Sequence, residues 1–222
     1  MPGLKKHFPD VRFSGNKVTP DEIDRYEVYS CNLPSTSATW VGTAVGTQTT
    51  TPTVGFLSVI LDYPRSLNLC VLTATGSVTG GTMVVTGKNQ FGVSQTESIA
   101  VVSTTTGGTT VGTKVFASVS AAAMTMGSGD PGSGTVSLGV GTTGTTALFG
   151  LPVKIGSTAD VKLFSWVTNG AQVAVNGGTY GAFVDATNHA IKAPASVTGT
   201  SGFSVWIKPS YNAENDSEVT NL

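Results

Sequence analysis

Two glycine-spaced stretches are the first places in this chain where chemistry could sit. Gly127-Ser128-Gly129-Asp130-Pro131-Gly132 and Gly139-Val140-Gly141-Thr142-Thr143-Gly144 share the G-x-G-x-x-G spacing of a dinucleotide-binding turn. That turn works only where a helix starts at the third glycine, so that unpaired amides face a pyrophosphate. Neither stretch runs into a helical pattern, one holds a proline, and the chain has 28 glycines, enough for such spacings to arise by chance. Both are read as coincidence.

The remaining reactive side chains are sparse. His7 and His189 are the two histidines, and neither has a zinc-site spacing or a nucleophile-elbow serine to serve. His189, after Asp185-Ala186-Thr187-Asn188, is expected to be a surface loop residue. The carboxylates Asp62, Glu97, Asp130, Asp160 and Asp185 are scattered, and nothing selects a pair for glycoside chemistry. Asp130 alone makes a poor calcium site, since calcium takes several oxygen ligands. Cys31 and Cys70 match no metal motif; they are read as reduced, partly buried thiols, with a single bridge between them left open. No catalytic, cofactor-binding or metal-binding residue is assigned, and the expectation is a protein that is not an enzyme.

The elements that would hold any site are strands. Leu67–Leu72, Thr82–Thr86, Ser98–Val102, Lys114–Val119 and Gly134–Leu138 are short apolar or β-branched runs set between Gly, Thr and Ser turns. Runs of that length and spacing predict an all-β fold, an antiparallel β-sandwich of jelly-roll-like kind. Thr86–Val93 reads as a hairpin with Gly92 at positive φ, and Asn169-Gly170 is the strongest short hairpin signal. Residues 103–113 read as a Thr/Gly bridge and 127–134 as a turn. Further strands are expected at Asp160–Val167, Gln172–Val175, Thr179–Val184 and Phe203–Lys208. The runs around Trp166 and Trp206 place both indoles in the core.

Charge is unevenly spread. Charged residues are 11% of the chain, against roughly 25% in an ordinary soluble domain. The surface must then be built from threonine hydroxyls and backbone, which suits packing against neighbours. The net charge of -1 lacks the basic field that nucleic acid attracts, and no apolar run reaches membrane-spanning length. The first ten residues lack the apolar core of a conventional secretory signal. Residues 1–58 are read as an N-terminal arm and loop region, 59–208 as the sandwich, with a division near 156 left open, and 209–222 as a flexible tail. The arm holds a helix-start pattern at Thr19–Asp24 and the aromatics Phe8, Phe13, Tyr26 and Tyr29. Residues 34–55, around Trp40, are either a loop or a pair of edge strands.

Several segments, in order, resemble a family of tailed-bacteriophage virion structural proteins. These are Tyr63–Leu69, Thr86–Gly92 followed by Thr96-Glu97, Gly112–Val119, Gly134–Gly141 followed by Gly150-Leu151-Pro152, and Gly178-Thr179-Tyr180. The likeness covers about two-thirds of the chain and departs before residue 59. It implies a virion component without catalytic residues, with Glu97 and Phe116 serving the fold. Capsid decoration is the role expected first: a cement-like protein on the outer shell, made in the host cytoplasm. Its implied partners are the major capsid protein and further copies of itself as a homotrimer, with no nucleic acid, membrane or cofactor. In that reading Phe8, Arg12, Phe13, Tyr26 and Tyr29 make the partner contacts. A tail, neck or fibre-base adaptor is the second reading. A carbohydrate-binding module using Trp40, Trp166, Tyr180 or Trp206 is the third.

Overall fold

A computed structural model describes residues 27–33, 37–46, 58–72, 80–102, 108–126, 135–140, 147–168, 170–173, 180–194 and 201–207. The helix start at Thr19–Asp24, the turn at 127–134 and the tail at 209–222 lie outside these residues. What is described is almost wholly antiparallel β-structure, as the alternating runs predict.

The strands are β1 (Glu27–Leu33), β2 (Ser37–Gly46), β3 (Val59–Arg65), β4 (Asn68–Leu72), β5 (Gly81–Lys88), β6 (Ser94–Val101), β7 (Gly108–Val111) and β8 (Phe116–Met126). They continue as β9 (Thr135–Val140), β10 (Leu148–Gly150), β11 (Val161–Thr168), β12 (Ala171–Val173), β13 (Val184–Asp185), β14 (Ala190–Lys192) and β15 (Ser201–Ile207). A seven-stranded sheet runs β13-β14-β10-β3-β8-β5-β6. Two four-stranded sheets flank it, β2-β9-β4-β7 and β1-β15-β11-β12.

The large sheet is shared between two cores. At one end, Leu61, Met83, Val85, Ile99, Phe116, Val119 and Met124 meet Leu69, Val71, Val136, Leu138 and Val140 of the β2-β9-β4-β7 sheet. At the other end, Phe149, Val184 and Ile191 pack against Phe164, Trp166, Phe203, Val205 and Ile207 of the β1-β15-β11-β12 sheet. Each core follows from period-two alternation. In β5, Met83, Val85 and Gly87 face in while Thr82, Val84 and Lys88 face water.

Several expectations need correction. Residues 108–111, read as part of a bridge, form β7 and pair with β4. Of the strand expected at Thr179–Val184, Tyr180–Phe183 is instead a 3-10 turn, and Val184 begins the two-residue β13. The first of the segments that carry the resemblance, Tyr63–Leu69, is split between β3 and β4. Residues 27–46, read with the N-terminal region, supply β1 and β2, each at the edge of its sheet. Trp206 is not in the core: it is 44% exposed, because Phe203, Val205 and Ile207 take the inward positions of β15. Both hairpins stand as read, with Gly92 at φ 77° and Gly170 at φ 76°.

Phe149 links the cores, since β10 pairs with β3 on one side and β14 on the other while its ring lies 5.9 Å from Trp166. Phe149→Ala is therefore expected to cost about 3–5 kcal/mol. Urea unfolding followed by far-UV circular dichroism measures this, and both cores should be lost in one shifted transition.

Candidate functional site

Four of the five carboxylates singled out from the sequence fall within the described residues, and each is committed to local structure. Asp62 accepts from Arg65 Nη2 at 2.5 and 2.6 Å, pairing a guanidinium that is 1% exposed. Asp160 accepts from the backbone N–H groups of Gly156 and Ser157, closing a capping box on the 3-10 turn at Thr158–Asp160. Asp185 accepts from the backbone and side-chain amides of Asn188 at 3.0 Å. Asp130 lies outside the described residues. Among the described residues no three His, Cys, Asp or Glu side chains gather as metal ligands.

Glu97 is the most constrained of the four. The alternation of β6 turns it towards the core, directly across from Val85, at a position otherwise suited to an apolar side chain. A buried charge there needs partners. Its Oε1 accepts from the backbone N–H of Thr113 at 2.5 Å, the Thr113 hydroxyl at 3.0 Å and the backbone N–H of Lys114 at 3.3 Å. The carboxylate thus holds the turn between β7 and β8. Gly112 leaves room for it: a Cβ at that position would lie 2.8 Å from Glu97 Oε2.

Three more loops join this turn. Asn89 folds the β5–β6 hairpin, its Oδ1 accepting from the amides of Phe91 and Val93 at 3.0 Å. Gln90 then reaches across to donate to the Asn188 carbonyl at 2.8 Å, and Asn188 donates to the Thr113 carbonyl at 2.9 Å. Gly150, at the end of β10, sits where any Cβ would press on Val115, Gln90 and Pro64. His189 is half-buried in this cluster, not a surface residue. Its φ of 48° is unusual for a residue with a side chain. It is held there by the Leu151 N–H and Gln90 Nε2, which donate to its carbonyl, by its Nδ1, which either accepts from the Ile155 N–H or donates to the Ile155 carbonyl according to the tautomer, and by the edge-on contact of its ring with Phe91.

Beside the cluster lies an open cleft of about 220 Å³, lined mainly by Tyr29, Tyr63, Pro64, Gln90, Pro152 and Phe203. This is below the roughly 300 Å³ of the smallest ligand pockets, and it suits an inserted side chain better than a whole small molecule. Tyr63 braces its wall by donating to the Gly150 carbonyl at 2.7 Å. Of the partner-contact residues read from the sequence, Tyr29 is half-buried on β1 and lines this cleft, while Phe8, Arg12, Phe13 and Tyr26 lie outside the described residues. Two of the aromatics considered for a sugar platform are described, and they lie in opposite environments. Trp166 is fully buried, Trp206 is exposed, and the side chains of Trp40 and Tyr180 are outside the description. Cys70 is a free, half-buried thiol, the Thr109 hydroxyl lying 3.7 Å from its sulfur. No described helix is long and apolar enough to cross a membrane, which leaves strand-built spans unaddressed.

The sequence reading missed Gln90, Asn188 and His189 as structural residues. Gln90 lies within the Thr86–Gly92 segment, but nothing in the chain signals its partner 98 positions away. Comparison with protein-family models, curated proteins and solved structures finds no match.

Truncating Glu97 to alanine leaves the Thr113 and Lys114 amides without their acceptor, an expected loss of about 1–3 kcal/mol. Glu97→Gln keeps an acceptor oxygen and should lose less. Chemical denaturation of both variants tests the order, and equal losses would refute a capping role. Gly150→Ala should cost about 1–3 kcal/mol by overpacking, read as a lowered melting temperature.

Proposed function

We propose that this chain is a non-enzymatic structural protein of a tailed-bacteriophage virion, acting as a decoration protein that binds the outer capsid shell and stabilises it. One observation carries the reading. The separate segments that resemble the phage family, Thr86–Gly92 with Thr96-Glu97, Gly112–Val119 and Gly150-Leu151-Pro152, converge on a single hydrogen-bonded loop cluster. Their polar residues are spent on bracing backbone, as suits a protein whose work is packing.

The chemistry of the surface supports the same reading. With few charges on the chain, contacts rest on hydroxyls, backbone and apolar side chains, whose strength depends little on salt. A decoration protein spreads modest contacts over several shell subunits and over its own copies in a trimer, so that binding gains from multivalency. Phe8, Arg12, Phe13, Tyr26 and Tyr29 are the side chains assigned to those contacts, with Tyr29 fixed at the rim of the apolar cleft. The major capsid protein is the partner, and no cofactor is required.

Copy number tests this first. Quantitative staining of purified particles should show this chain in a ratio near one to one, or one to a few, with the major shell protein, and chelators should not release it. A few copies per particle would transfer it to the tail or neck. Absence from every particle would remove the virion reading.

A further inference from the structure

β6 ends the seven-stranded sheet, and among the described residues no strand pairs with its outer edge. The sheet edges are not alike. β13, β12 and β7 are two, three and four residues long. β2 is broken twice by shifts of register against β9, and β1 is continuous over seven residues. β6 runs for eight, paired to β5 rung by rung without a bulge. Such an edge presents a row of unpaired N–H and C=O groups, and another extended backbone is what satisfies it.

The hairpin decides which residues supply that row. Asn89 N–H donates to the Val93 carbonyl at 2.9 Å. Counting back from this bond, every second pair exchanges backbone bonds between the strands: Gln95 with Gly87, Glu97 with Val85, Ile99 with Met83. Ser94, Thr96, Ser98 and Ala100 therefore turn their own N–H and C=O groups to the free edge. One half of this edge is guarded. Lys114 Nζ donates to the Thr96 carbonyl at 2.7 Å, and Glu97 beside it points a carboxylate inward. A lysine over an edge and an inward charge both discourage strands from adding. Residues 98–102 hold no charge and no proline, and their outward side chains Ser98, Ala100 and Val102 are exposed.

The strand that fits this open half is the same stretch turned around. Antiparallel pairing about Ala100 sets Ala100 against Ala100 of a second copy, Ser98 against Val102, and Ile99 against Val101. No like charges meet, because the stretch has none. Ile99 and Val101 are 2% and 5% exposed on the inner face, so their pairing carries one core on into the next. Centring the pair on Ser98 instead would bring Ala100 against Thr96, whose carbonyl Lys114 already holds.

We propose that two copies of this chain associate through residues 98–102, antiparallel about a two-fold axis at Ala100, so that their seven-stranded sheets join into one. This contact is separate from the trimer assigned above and does not rest on the virion reading.

Sedimentation velocity of the full chain over a concentration series tests it. The wild type should double in mass as concentration rises. Ala100→Lys and Ala100→Glu each place like charges directly opposite across the axis, and should each raise the dissociation constant about fivefold or more. An equimolar mixture of the two should recover the doubling, which a folding defect in either variant would not allow. Ser94→Lys, outward on the same strand but beyond the paired stretch, should associate like the wild type. A wild type that never doubles would overturn the proposal, as would a doubling that both charged variants keep. Failure of the mixture to recover would equally overturn it. A trimer formed alike by all four proteins, with no doubling, would refute this contact while leaving the virion reading standing.

Discussion

The packing of Phe149 is the contact on which the two halves of the molecule depend. Its strand is three residues long and fully buried, yet it is the seam through which the seven-stranded sheet continues from β3 to β14. Around the ring stand Tyr63, Trp166 and Phe203, with Trp166 and Phe203 stacked on each other at 6.3 Å. Trp166 meets its own polar requirement by donating to Thr168, so the cluster buries its indole without an orphaned N–H. Without this seam the second core would be a separate four-stranded sheet facing a ragged edge. With it, one sheet carries both cores.

A second economy concerns polar groups. The chain has few ions to spend, and two of the described ones are buried. Arg65 is buried against Asp62, and Glu97 is buried against a turn. The loop ends are then locked by side-chain amides, with Asn89, Gln90 and Asn188 each serving backbone groups directly. Such bonds satisfy buried backbone without the large desolvation cost of a further charge.

Much of the fold was legible because β-structure writes itself in alternation and in turns. The β5–β6 hairpin was readable from Asn89 to Gly92, and β11–β12 from Asn169-Gly170. What was hidden had no local cause. The Ala121-Ala122-Ala123 stretch of β8 is a poor strand former by propensity, and it is held extended by pairing with β5 on one side and, further along the strand, with β3 on the other. β7 looked like a Thr/Gly connection because its strand state comes from β4. At the candidate site, the glycines and Glu97 were visible as residues, but their meeting was not, since it joins positions distant along the chain. Trp206 shows the opposite failure. Phe203, Val205 and Ile207 hold the inward phase of its strand, so alternation and not hydrophobicity decides which side chain faces out.

The pairing of Glu27 with Ile207 has a mechanical consequence. The described chain enters and leaves at one corner, on neighbouring antiparallel strands. Tension applied between the two ends would not shear a whole ladder of hydrogen bonds at once; it would unzip β1 from β15 one rung at a time, beginning at that corner. The rest of the sheet would feel little load until this pair had parted. A pull between Glu27 and Ile207 therefore meets the β1–β15 pair first, while a load spread across the sheet faces does not.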